Sequence, residues 1–117
     1  MKARAVARFV GMSARKVRLV VDQIRGKRVN DAYALLQFSP KSAAEPVGKT
    51  LRSAVANAQV KSQEQGAGLD VDDLIVREAY VNEGPTHRRF RAAAQGRPAP
   101  RRKRTSHITV VVDRKDA

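Results

Sequence analysis

The chain has 117 residues, with 24 Lys and Arg against 11 Asp and Glu, a net charge of +13 and no cysteine. That length suits one domain, and the lack of thiols excludes disulfides and thiolate metal sites. No run approaches the roughly 18 apolar residues of a membrane span, and MKARAVARFVGMSARK lacks the apolar block of a signal peptide, so a soluble cytoplasmic protein is expected.

The charge is segregated. Residues 1–28 carry a net +8, residues 29–83 a net −3, residues 84–107 a net +8 with no acidic residue, and residues 108–117 balance. Self-repulsion of this kind is relieved by a polyanion, and nucleic acid is the commonest one. An anionic membrane suits the chain less well, because the basic segments carry no large apolar face.

ARAVARFVG, residues 3–11, alternates as a strand, with Ala3, Ala5, Ala7 and Phe9 on one side and Arg4, Val6, Arg8 and Val10 on the other. In SARKVRLVVDQIRGK, Ser13 suits an N-cap and Gly26 a C′ position, while Val17, Val20, Val21 and Ile24 form the stripe of a helix lying on a core. Arg15, Lys16, Arg18 and Arg25 fall largely off that stripe. Asn30 can cap a second helix, DAYALLQF, with Ala32, Leu35, Leu36 and Tyr33 inward. Ser39 and Pro40 end it and suit the N-cap and first position of a third helix, which runs to about Gln63. Its inner face is Val47, Leu51, Ala54, Val55 and Ala58, and Pro46 marks either a bend or the start of its regular part.

QEQGAGLDVDD reads as a polar loop. LIVREAYVNE follows as a strand, with Ile75, Tyr80 and Val81 as packing residues, and a last strand covers Ser106 to Asp113. Tyr33, Phe38 and Tyr80 are expected in the core. The fold class is therefore α+β: three helices packed on a small three-stranded antiparallel sheet, in a single domain spanning 1–117.

Between the last two strands stands GPTHRRFRAAAQGRPAPRRKRTSH, residues 84–107. Its cations are Arg88, Arg89, Arg91, Arg97, Arg101, Arg102, Lys103 and Arg104. A structureless connection of that length is uncommon in a compact domain. We expect a long projecting basic β-hairpin reversing near Gly96, with Gly84 and Pro85 at its root and Pro98 and Pro100 disturbing one arm. The cations suit phosphates, and the small tip, Ala92, Ala93, Ala94, Gln95 and Gly96, suits a narrow space.

SARKVRLVVDQIRGK, SAVANAQ, VNEGPTHRRFRAAAQGR and KRTSHITVVV, in this order, closely resemble the family of bacterial-type large ribosomal subunit protein 22, over residues 3–113. The resemblance implies a structural constituent of the large ribosomal subunit that binds 23S ribosomal RNA and supports assembly. It also implies a hairpin lining the nascent-peptide exit tunnel. Arg15, Lys16, Arg18 and Lys27 match RNA-facing positions of the first helix, and the hairpin cations match the basic finger. The implied partners are 23S ribosomal RNA, neighbouring large-subunit proteins and the nascent peptide, with one copy per ribosome, no membrane and no cofactor. The tip AAAQGRP departs from the common PRAKGRA, so side-chain roles in nascent-chain sensing are not carried over.

No catalytic constellation stands out. His87 and His107 lack the companions of a metal site, and Asp70, Asp72 and Asp73 lack the spacing of a calcium loop. The competing reading is an architectural DNA-binding protein with a basic β-arm, against which the tip offers no apolar wedge.

Overall fold

The computed structural model describes residues 2–66, 68–92 and 98–115, of which 87–92 and 98–103 are described as backbone. In chain order, β1 is Ala3–Val10, α1 Ala14–Ile24, α2 Val29–Gln37 and α3 Ala44–Glu64. After a 3-10 turn at Val71–Asp73 come β2 Leu74–Glu83, β3 His87–Ala92, β4 Pro98–Lys103 and β5 Ser106–Arg114. β5 lies between β1 and β2, antiparallel to both, while β3 and β4 pair as a separate two-stranded ribbon. This is the expected α+β arrangement. The ribbon makes the molecule long: its extents are 66 × 27 × 17 Å and its radius of gyration is 17.5 Å, against about 13 Å for a compact chain of this size.

The helices form where the apolar period demands them. Val17, Val20, Val21 and Ile24 are fully buried. The Ser13 hydroxyl accepts the Lys16 N–H at 3.4 Å, and Gly26 ends the helix at φ +81°. α3 lays Val47, Leu51, Ala54 and Ala58 on the sheet, opposite the small side chains Ala3 and Ala5 of β1, which lets it close in. Pro46 stands in the first turn of α3, where its missing N–H would have had no helical partner.

Several expectations fail for local reasons. α2 begins at Val29, so Asn30 lies inside its first turn and its amide donates to Asp72 instead of capping. Ser39 accepts the Lys41 N–H in a turn, and α3 starts later, at Ala44. β1 carries an extra residue between Ala7 and Val10, which throws Phe9 outward and turns Val10 toward the core. β2 bulges at Arg77, between the pairs Val76–Val112 and Glu78–Val111. The bulge reverses the alternation, so Leu74 and Val76 before it, and Ala79 and Val81 after it, face inward while Tyr80 is 41 % exposed. Phe38, the residue closing α2, is 81 % exposed, and only Tyr33 of the expected core aromatics packs against the core. Pro98 and Pro100 leave the register of the ribbon intact. Standing two apart, they lie on the same edge of β4, which among the described residues has no neighbouring strand on its far side.

Helices and loops close both free edges of the three-stranded sheet. Along β2, the Val76 N–H donates to Lys27 O (2.8 Å) and Val76 O accepts from Gly26 N (2.9 Å). Further along, the Arg25 guanidinium donates to Ala79 O (2.7 and 3.0 Å) and that of Arg18 to Val81 O (2.8 and 3.2 Å). Along β1, Asn57 donates to Arg4 O (2.9 Å) and Lys61 to Lys2 O (2.7 Å), both from α3.

At the end of β5, Asp113 is buried, accepts the Arg114 N–H at 2.8 Å, and faces Arg77 at 3.8 Å. Burial alone would raise its pKa. Hydrogen bonds to the carboxylate, that of Arg114 among them, and the Arg77 charge outweigh burial and hold it below the ordinary value. A depressed carboxyl pKa stabilises the fold above the unfolded-state value and ceases to do so as pH falls through the folded-state value. Asp113→Asn should therefore lower stability by about 1 kcal/mol at pH 7. The deficit should shrink as the pH is taken below about 4, as read from denaturant midpoints of the two proteins across pH.

Candidate nucleic-acid interface

The N-terminus of α1, the α2–α3 loop and the root of the ribbon enclose a groove of about 710 Å³. Arg15, Lys16, Lys41 and Arg104 line it, together with Leu19 and Met12. All four cations are exposed, and among the described residues none has an acidic partner. Lys41 also borders a neighbouring concavity that contains Lys27, so a belt of cations reaches from Arg104 past Lys41 to Lys27. The first turn of α1 contains no acid, and its free N–H groups add to the positive potential. Such a surface holds an extended polyanion by several phosphates at once.

The sequence-predicted cations do not all occupy equivalent places. Arg15 and Lys16 face the groove, and Lys27 lies at the far end of the belt. Arg18 is exposed yet commits two of its five donors to Val81 O, which leaves three free to point outward. Arg25 is bound to Ala79 O and to Asp22 at 2.9 Å and belongs to the fold. Arg104 joins the first helix although 86 or more residues separate it from Arg15, Lys16 and Arg18 in sequence. Lys41 was missed, because it sits inside the net-acidic middle segment. The exposed turn SPKS between two helices was its only sequence signal.

In the ribbon, Arg88 stands opposite Arg102, Arg89 opposite Arg101, and His87 opposite Lys103. Like charges directly across a two-stranded ribbon destabilise it. Of the expected tip, Ala92 ends β3, while Ala93, Ala94, Gln95 and Gly96, with Arg97, lie outside the described residues.

The ribbon leaves the sheet at Gly84, Pro85 and Thr86, which belong to no strand. Gly84 N–H donates to Thr105 O at 2.9 Å, and the Thr105 hydroxyl donates to Pro85 O at 2.6 Å. A Cβ on Gly84 would come within 2.5 Å of that hydroxyl and 3.2 Å of the His107 ring.

The ribosomal protein L22p/L17e family model matches residues 5–113. The chain belongs to that family. It is 60 % identical over 111 residues to the large ribosomal subunit protein uL22 of Desulfitobacterium hafniense, covering 95 % of this chain and 93 % of that one. It is 53 % identical over 116 residues to the protein of the same name from Bifidobacterium longum, covering 99 % and 98 %. Family membership bears out the resemblance and does not favour the DNA-arm alternative. It makes the chain a member of a ribosomal protein family rather than of a known enzyme family.

Gly84→Ala should cost about 1–2 kcal/mol, because the Thr105 hydroxyl must swing away from Pro85 O. Thermal melts of Gly84→Ala, Thr105→Ala and the double variant should show losses well short of additive.

Proposed function

We propose that this chain is a structural constituent of the large ribosomal subunit in the cytoplasm. It grips 23S ribosomal RNA through the cationic groove and carries its basic ribbon along the wall of the nascent-peptide exit tunnel. The observation that carries this is the convergence of Arg15, Lys16, Lys41 and Arg104, from three separate stretches of chain, on one groove with no acidic partner among the described residues. A solvated surface gains nothing from such crowding, whereas a phosphate backbone neutralises it and releases its counterions.

In this reading Arg15, Lys16, Lys41 and Arg104 hold phosphates across the groove, and Lys27 extends the contact. Arg18 binds phosphate with the donors left over from the β2 edge. Arg88, Arg89, Arg91, Arg101, Arg102 and Lys103 hold RNA on both arms of the ribbon, and the opposed arginines are relieved by the phosphates between which they sit. RNA folded into junctions suits this better than a regular duplex, whose deep groove is too narrow for a β-ribbon. Neighbouring large-subunit proteins and the nascent peptide are the further partners.

Binding to 23S ribosomal RNA should weaken by about 10³- to 10⁵-fold between 50 and 200 mM salt if six to ten phosphates are engaged. Lys41→Ala and Arg104→Ala should each reduce the slope of log affinity against log salt by about 1, with unchanged melting temperatures. A flat salt dependence, or equal affinity for duplex DNA at the same salt, would count against the proposal.

A further inference from the structure

Phe9 is the one non-glycine residue at positive φ among the described residues, at +58°, and it is 64 % exposed. A bulky aromatic is an outlier in that conformation, which glycine or asparagine adopts more readily. The bulge in β1 needs a residue there but not an aromatic one. Two contacts nevertheless hold Phe9 in a fixed pose. Its N–H donates to His107 Nδ1 at 3.1 Å, and the two rings meet edge to face with centroids 5.0 Å apart and planes at 88°. The His107 ring is itself backed by Gly84, whose missing Cβ leaves it room. Phe9 thus rests against the His107 ring while staying largely open to solvent.

Its setting is basic. Arg8 beside it is exposed, and Gly11, two residues on, is already a wall of the groove that holds Arg15, Lys16, Lys41 and Arg104. No acidic residue occurs between Met1 and Val21. A solvent-facing ring two residues along the chain from the wall of a phosphate groove matches an unpaired nucleobase, which offers a π-face whatever its identity. We infer that Phe9, braced by His107, is a stacking platform for a single unpaired base of the RNA whose backbone lies in the adjacent groove. The inference rests on the RNA-binding proposal and adds a contact that charge alone does not supply.

Salt separates the two. Stacking releases no counterions, so its loss should shift affinity without changing the salt slope. For the full chain and 23S ribosomal RNA, Phe9→Gly should bind roughly 5- to 100-fold more weakly at every salt concentration, with the parent's slope. It should melt within a few degrees of the parent, because glycine suits the backbone. Phe9→Trp should bind as the parent does, and ultraviolet irradiation of the parent complex should yield a nucleotide adduct on the peptide containing Phe9. Parent-like binding by Phe9→Gly would overturn the platform and leave the phosphate groove standing. So would weakened binding by both variants together with a large fall in melting temperature, which would mark Phe9 as a structural residue. A parent without salt-sensitive RNA binding would overturn the groove and the platform together.

Discussion

A three-stranded sheet has one strand paired on both sides and two with a free edge, and that arithmetic shapes this molecule. β5 takes ladder bonds from β1 and β2; the outer carbonyls of those strands would otherwise face water or another sheet. Side chains from the helices close them: Arg18 and Arg25 of the α1 region on Val81 and Ala79, and Asn57 and Lys61 of α3 on Arg4 and Lys2. A guanidinium fork suits this task because one planar group gives two bonds to one oxygen while its charge stays near solvent. The same bonds fix α1 along β2. With the helix fixed, its N-terminus, Arg15 and Lys16 are held against the α2–α3 loop and the root of the ribbon. The geometry of the interface thus follows from the need to close an edge.

The cations of this chain therefore divide into two groups that composition cannot distinguish. Arg25, Arg77 and Lys61 are engaged with carbonyls or carboxylates and are part of the fold. Arg15, Lys16, Lys41 and Arg104 have no such engagement among the described residues. Arg18 belongs to both groups. A short helix that must lie on a sheet edge and also present charge to a polyanion places its arginines on the borders of its apolar stripe, where one residue can do both.

Periodicity made the helices legible. The run Val17, Val20, Val21, Ile24 and the run Val47, Leu51, Ala54, Ala58 leave one arrangement on a sheet, and all eight residues are fully buried. The two bulges were not legible, because alternation in ARAVARFVG and LIVREAYVNE reads equally well with or without an extra residue, and each insertion reverses the face of the residues after it. Unbroken alternation therefore puts Phe9 and Tyr80 inside, where the bulged strands do not. Phe38 misled for a different reason: it closes α2 at the point where the chain turns away, so its position in the helical period no longer defines a face. The interface was half visible. Charge density marked Arg15, Lys16 and the basic segment, but the juxtaposition of Lys41 and Arg104 with them is tertiary and leaves no trace in a local count.

The segregation of charge along the chain also becomes a segregation in space. Ser106 pairs with both Val10 and Glu83, so all three strands of the sheet finish together at that end and the ribbon alone continues beyond it. Phe9, His107, Gly84 and Arg104 gather there, and Glu83 is the one acid at the junction among the described residues. The other end holds Asp113, with Asp70, Asp72 and Asp73 in the turn that precedes β2, and two of these acids face cations: Arg77 faces Asp113 at 3.8 Å and Lys115 faces Asp73 at 3.9 Å. A polyanion approaching the molecule meets unpaired positive charge at one end and acids at the other, so its field orients the domain before contact. The acidic middle of the sequence is thus the counterweight that makes the protein a directed cation, and the bend at Gly84–Thr86 is where that direction passes from the sheet into the ribbon.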